Sequence, residues 1–214
     1  MLLLIDLDNT LVDREAAFAR WAGGFVAELG GTPADLGWLI RTDADGYAPR
    51  DQVADAIRGR FGLSDDREFL VGRLMREHVE LIELVPGVRP VLETVAARGI
   101  GRVIVTNGTE WQQRRKLEVA GLNDLVDEVI ISESVGCKKP DPRIFRIALG
   151  RRDPASAWMI GDDPNADVRG GAATGMRTGW VDRGRNWAGD DPPTVSGRTA
   201  PAVIAAALAT AAES

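Results

Sequence analysis

The chain has very little sulfur or imidazole chemistry. Its 214 residues include one cysteine, Cys137, and one histidine, His78. A lone cysteine cannot close an internal disulfide, and one residue of each kind is too few for a Cys/His zinc site. A reducing, cytoplasmic setting is the expectation. Positive charge is also in short supply: 26 Lys and Arg stand against 32 Asp and Glu, a net charge of −6. That argues against nucleic acid as the main partner, because a polyanion needs basic surface. It leaves room for a small phosphorylated substrate, whose charge one metal and one lysine can meet. Long apolar runs are missing as well. Met1 to Ile5 is shorter than a secretory leader, and nothing approaches the ~20 apolar residues that span a bilayer. The nearest stretch, Ala200 to Ala212, is alanine-rich and reads as a terminal helix. No membrane partner is expected, and no internal repeat is evident.

The remainder describes an ordinary soluble globular chain, 44% hydrophobic and 27% charged, of one or two domains. Four short apolar runs read as strands buried on both faces, the pattern of a parallel sheet. They are Leu2–Ile5, Arg102–Val105, Val126–Ile131 and Ala157–Ile160, with a weaker fifth at Arg177–Val181. Helical segments fall between them: Val88 to Arg98, Glu110 to Ala120, and Ile144 to Leu149. Alternating strands and helices predict an α/β fold with ligands at the strand C-termini. The first crossover is far too long for one helix. Glu15–Leu29, Pro33–Ile40, Asp51–Phe61 and Asp66–Leu84 all read as helices, so residues 14–85 form a predicted helical subdomain inserted in a core of residues 1–13 and 86–214. Asn186 to Arg198, rich in Gly, Pro and Asp, reads as a surface loop.

The chemistry-bearing residues stand after successive predicted strands. Asp6-Leu7-Asp8-Asn9-Thr10 follows the first. In an extended segment Asp6 and Asp8 face one way and Leu7 the other. A close carboxylate pair suits either a hard metal or an acid/base division of labour; a solvated turn is the plain alternative. Thr106-Asn107-Gly108 follows the second strand, where backbone N–H groups at a helix start bind phosphate or simply cap the helix. Lys138-Lys139-Pro140-Asp141-Pro142 follows the third, a lysine pair on a stiffened loop. Gly161-Asp162-Asp163-Pro164-Asn165-Ala166-Asp167 follows the fourth, with three acids fit for an oxygen-ligand shell around Mg²⁺ or for an acidic turn. Their common placement directs all four at one crevice.

In order and spacing these segments resemble the haloacid dehalogenase superfamily of phosphohydrolases. The likeness rests on Asp6-Leu7-Asp8-Asn9-Thr10-Leu11-Val12, Thr106-Asn107-Gly108, Lys139-Pro140-Asp141-Pro142 with Ile144-Phe145, and Gly161-Asp162-Asp163 through Asp167. The closing stretch Gly171 to Met176 and Trp180-Val181 is also similar. The resemblance implies a Rossmann-like parallel sheet core, with the inserted helices as the family's first-type cap and lid. It implies Asp6 as the nucleophile that forms an aspartyl-phosphate and Asp8 as the acid, then base. It implies Mg²⁺ held by Asp6, the backbone carbonyl of Asp8, and Asp162, with Asp167 as a possible further acid. Thr106, the Asn107 backbone and Lys139 would hold the phosphoryl group. The family pattern places the key lysine directly before Pro-Asp-Pro, which selects Lys139 and leaves Lys138 on the surface. The role of Asp163 stays open.

Other residues read more plainly. His78 is expected to pack within the cap, and Cys137 to be structural. Most tryptophans read as packing, with Trp21 or Trp38 as candidates to line a substrate pocket. Arg41 to Arg50 is either a specificity loop or a solvated linker. The reading is a Mg²⁺-dependent phosphoric monoester hydrolase acting on a small phosphorylated metabolite. A phosphomutase is the alternative. A dehalogenase is disfavoured, since the resemblance gives dehalogenases no metal and no second aspartate. Substrate and oligomeric state are not encoded legibly.

Overall fold

The computed structural model describes residues 1–212 and divides the chain into two compact units: Met1–Asp13 with Leu84 onward, and Arg14–Glu83.

The first unit is built on a six-stranded, all-parallel sheet. Its strands are β1 (Leu2–Ile5), β2 (Gly101–Thr106), β3 (Glu128–Ile131), β4 (Ala157–Gly161), β5 (Arg177–Val181) and β6 (Val195–Gly197), in the order β3-β2-β1-β4-β5-β6. β1 is buried along its whole length, as an apolar run covered on both faces must be. Ile5 pairs in register with Ile104 on one side and Ile160 on the other. The residues just after those isoleucines therefore emerge side by side. The strand order reverses at β1, the kind of switch point where open α/β sheets place their ligands. Val103, Val105, Ile130, Phe145 and Met159 form one apolar cluster with Leu2 and Leu4, and Cys137 is buried in it as expected of a structural thiol.

The helices of this unit are labelled in chain order after four in the insertion. They are α5 (Val88–Ala97), α6 (Glu110–Val119), α7 (Ser132–Val135), α8 (Pro142–Leu149), α9 (Gly170–Ala172) and α10 (Ala200–Ala212). Among the described residues no helix is long and apolar enough to cross a membrane. Two features depart from the sequence reading. β6 lies inside the segment read as loop: three residues pairing with β5 are too few to show any alternation, and only the sheet edge makes them a strand. Pro164–Arg169 forms a π-helical turn, a wide form common at functional sites.

The second unit is helical: α1 (Arg14–Glu28), α2 (Pro33–Asp43), α3 (Arg50–Phe61), α4 (Arg67–Arg76) and a 3₁₀ turn at Glu77–Leu81. Phe18, Trp21, Phe25, Leu39, Ile57 and Leu74 make its core. Trp21 and Trp38 belong to this packing: Trp21 stacks on Phe25, and Trp38 lies edge-on to Phe61 and under Arg60. His78 is buried edge-on against Phe18. The predicted helix Asp66–Leu84 ends early. Glu77 accepts from Trp21 Nε1 and Arg73 Nε, and the chain tightens there; apolar spacing alone does not separate α from 3₁₀ over one turn. The segment Arg41–Arg50 is mostly exposed, with one buried anchor. Asp43, 1% exposed, is paired with Arg14 at 2.9 Å and Arg50 at 2.5 Å.

Candidate active site

Asp6 follows β1 directly, and its backbone N–H donates to Ile160 O at 2.8 Å. This extends the β1–β4 pairing by one residue and turns Asp6 toward the loop after β4. Asp6, Asp162 and Asp167 converge: one carboxylate oxygen from each lies within 4.8 Å of the others, and all three residues are buried. Lys139 is 3% exposed. Its Nζ donates to Asp6 Oδ1 at 2.5 Å and to Asp167 Oδ1 at 2.7 Å. Lys138 is exposed. Three acids and one ammonium leave an excess of buried negative charge.

That excess shows in the titration behaviour. Burial drives Asp6 well above the usual carboxylate range; Asp167 and Asp162 push it further, and Lys139 offsets only part. Burial likewise raises Asp167 against the pull of Lys139. Burial would lower Lys139, but Asp167 and Asp6 outweigh it and hold the ammonium charged. Crowded carboxylates with raised affinity for protons are the electrostatic setting that a hard cation relieves. The donors are all oxygens, which suits Mg²⁺.

Local sequence explains how these side chains are held. Gly161 has no Cβ, and one placed there would lie 2.1 Å from Asp167 Oδ2. The π-helical turn then points Asp167 inward. Asp163 opens that turn: its Oδ1 accepts from Asn165 N and Ala166 N, both at 2.7 Å. Its role is therefore that of a cap. Asp163 N in turn donates to Asp167 Oδ2 at 3.0 Å.

Asn107 braces the lysine loop. Its Nδ2 donates to Lys139 O at 3.0 Å, and its Oδ1 accepts from Lys139 N at 2.8 Å. This side-chain use was not foreseen from sequence. Thr106 is buried beside it at the end of β2.

Asp8 is set apart. Its carboxylate is not in the three-acid group; both of its oxygens accept from Lys116 Nζ at 2.7 Å, and Oδ2 also accepts from Gln113 Nε2 at 3.0 Å. Gln113 and Lys116 escaped the sequence reading. The available signal was their position: three apart on α6, next to Leu117, they share a face that ought to be apolar. Arg185 was missed too. Its Nη2 donates to Asp162 O at 2.6 Å and Oδ2 at 3.1 Å, and Trp180 Nε1 donates to the same carbonyl at 3.0 Å. No sequence pattern marked Arg185.

The family model described as haloacid dehalogenase-like hydrolase matches residues 1–175. The chain belongs to the haloacid dehalogenase-like hydrolases. Among relatives of this family, the glyceraldehyde 3-phosphate phosphatase of Pyrococcus abyssi is 37% identical over 197 residues, covering 86% of this chain and 82% of that protein. The phosphoserine phosphatase of Thermus thermophilus is 45% identical over 103 residues, which cover 47% of this chain and 41% of that protein. Two further relatives are matched over 43% and 46% of their length; in these three pairings the match spans less than half of the relative. In fold, the chain is similar to the magnesium-bound structure of the putative hydrolase YfnB from Bacillus subtilis, with TM-score 0.74, 24% identity, and 92% and 94% of the two chains covered. Solved L-2-haloacid dehalogenases share the fold as well, one at TM-score 0.75 and 22% identity over 97% and 98% of the chains.

Proposed function

We propose that this haloacid dehalogenase-like hydrolase is a Mg²⁺-dependent phosphatase, a phosphoric monoester hydrolase for a small phosphorylated metabolite. The observation that carries the reading is the Lys139 ammonium lodged between Asp6 and Asp167 beside Asp162. Phosphoryl transfer demands positioning and charge neutralisation more than covalent chemistry, and this cluster offers one ammonium together with oxygen donors fit for a neutralising cation.

In this reading a carboxylate oxygen of Asp6 attacks phosphorus, and the ester P–O bond breaks. Asp8, protonated when substrate is bound, gives that proton to the departing oxygen and is left as the carboxylate that Lys116 contacts. Asp8 then takes a proton from water, which attacks phosphorus and frees Asp6 with release of phosphate. Thr106, the Asn107 backbone and Lys139 hold the phosphoryl oxygens. Asp6, Asp162 and the Asp8 carbonyl, with Asp167 nearby, would hold Mg²⁺, which supplies further neutralisation of the transferring group. Substrate selection is assigned to the helical insertion.

The same scaffold hosts dehalogenases, so the carbon-directed reading needs its own test. Asp8 and the three-acid cluster favour phosphorus. A panel of phosphorylated metabolites, assayed for inorganic phosphate with Mg²⁺ and again with EDTA, decides. Phosphate release that EDTA abolishes and Mg²⁺ restores is the expected result. Halide release from a 2-haloacid in EDTA would overturn the proposal. Isomerisation of a sugar phosphate, with catalytic bisphosphate and no free phosphate, would replace it with a phosphomutase.

A further inference from the structure

The motif residues leave one buried polar network without a role. Lys116 and Gln113 project from α6 and are 3% and 1% exposed. Both reach Asp8 across more than a hundred residues of chain. We propose that Gln113 and Lys116 are positioning residues that lock the Asp8 carboxylate and the Thr106 hydroxyl into one fixed arrangement. The proposal rests on the phosphatase reading above and deepens it.

Two equal contacts from one ammonium fix the rotation of the Asp8 carboxyl plane. Holding a lysine in the interior costs free energy unless it is paired, so this contact is a deliberate use of Lys116. Gln113 adds a second restraint. Its Nε2 lies 3.0 Å from Asp8 Oδ2, 2.5 Å from Thr106 Oγ1 and 3.3 Å from Asn107 O. A carboxylate and a backbone carbonyl only accept, so the amide nitrogen must face this cluster. With two hydrogens for three acceptors, the two shorter contacts take them. Thr106 Oγ1 then accepts from Gln113, which leaves its own hydrogen to donate. In the phosphatase reading the recipient is a phosphoryl oxygen.

The backbone makes room for this arrangement. Gly108 has φ 152°, and a Cβ there would sit 2.9 Å from the Gln113 Cδ. The glycine after Thr106-Asn107 therefore serves Gln113 as well as the turn. Residues three apart share a helix face, so one face of α6 sets both the proton-transfer group and the phosphoryl-holding hydroxyl.

The test uses leaving-group dependence, which general loss of structure does not alter. Phosphoenzyme formation is measured by rapid quench for phenyl phosphate and p-nitrophenyl phosphate. The second leaving group departs with little help from a proton; the first needs it. Lys116→Met should lower the phenyl rate about 100-fold, within the ~10²–10⁴ range of general acid/base contributions, and the p-nitrophenyl rate about tenfold or less. Lys116→Arg should recover part of the loss. In an Asp8→Asn background, Lys116→Met should add less than about a twofold further loss, because both changes remove the same interaction. Gln113→Met supplies an independent arm. It should lower both rates, the phenyl rate somewhat more because Asp8 also loses a restraint, and be non-additive with Thr106→Val. Equal losses of both esters in Lys116→Met, or full additivity in both double variants, overturn this assignment alone. A wild-type protein that releases phosphate from neither these esters nor any member of the metabolite panel overturns the phosphatase reading and this assignment with it.

Discussion

Gly161 and Asp167 approach so closely that a Cβ on the glycine would sit 2.1 Å from the carboxylate oxygen Oδ2. Gly161→Ala must therefore displace Asp167 from Lys139 and from the Asp163 N–H. Overpacking of this kind costs about 1–3 kcal/mol, and activity should fall at least tenfold. Gly59, exposed on α3 with open space around it, is the control. Gly59→Ala should raise stability by roughly 0.5–1 kcal/mol. Urea unfolding of both variants measures the contrast. A Gly161→Ala protein with unaltered stability and activity would contradict the geometry.

The adjacent lysines should differ sharply. Lys139→Met removes the ammonium shared by Asp6 and Asp167, and breaking a buried pair costs about 3–5 kcal/mol. Lys138 is exposed, and Lys138→Met should stay within about 0.5 kcal/mol of the wild type. Chemical denaturation and phosphate release are the readouts; comparable behaviour of the two variants would mean that the burial of Lys139 has no energetic consequence.

Stability should depend on pH in a direction set by Asp6 and Asp167. Both titrate near 3.8 when unfolded and higher when folded. In the interval between, the folded state binds more protons, so stability is lost as pH rises through the folded values. Carboxylates held low, such as Asp127 beside Arg102, act in the opposite sense but below the ordinary range. At pH values above their ordinary range the metal-free protein should weaken with rising pH because of these two groups, and Asp6→Asn should flatten that slope. Mg²⁺ should then stabilise more at pH 7.5 than at pH 5. At 100 times its Kd it contributes about 2.7 kcal/mol, or several degrees in Tm for a chain of this size. Thermal unfolding with EDTA and with Mg²⁺ at the two pH values checks the sign.

Asp6 and Asp8 are alike in sequence but not in surroundings. Asp6 lies with Asp162 and Asp167; Asp8 lies with Lys116 and Gln113. Asp6→Asn should give neither turnover nor a covalent phosphoenzyme. Asp8→Asn should still accumulate one from p-nitrophenyl phosphate and hydrolyse it slowly, with turnover reduced ~10²–10⁴-fold. Intact-protein mass spectrometry after acid quench detects the adduct, and peptide mapping locates it. A phosphate on any residue other than Asp6 would refute the nucleophile assignment.

Local pattern alone determined the parallel sheet and the placement of the acidic and basic loops. A strand buried on both faces must be a continuous apolar run, and the residue after it must be where the chain turns polar. Asp6, Thr106 and Asp162 are marked that way by Ile5, Val105 and Gly161. The long interval before β2 marked a helical insertion, although apolar spacing overran the end of α4. Tertiary structure decided everything that depends on partners distant in sequence. β6 is a strand only because β5 offers it an edge. Asp43 is buried within an otherwise exposed segment because Arg14 and Arg50 meet it. Lys139 differs from Lys138 because only one of them is buried between Asp6 and Asp167. Gln113 and Lys116 gain their partner only because the fold turns that face of α6 toward Asp8. A side chain's chemical type is fixed by its own codon, but its protonation and electrostatic role are set by neighbours that can lie a hundred residues away, and those only packing can supply.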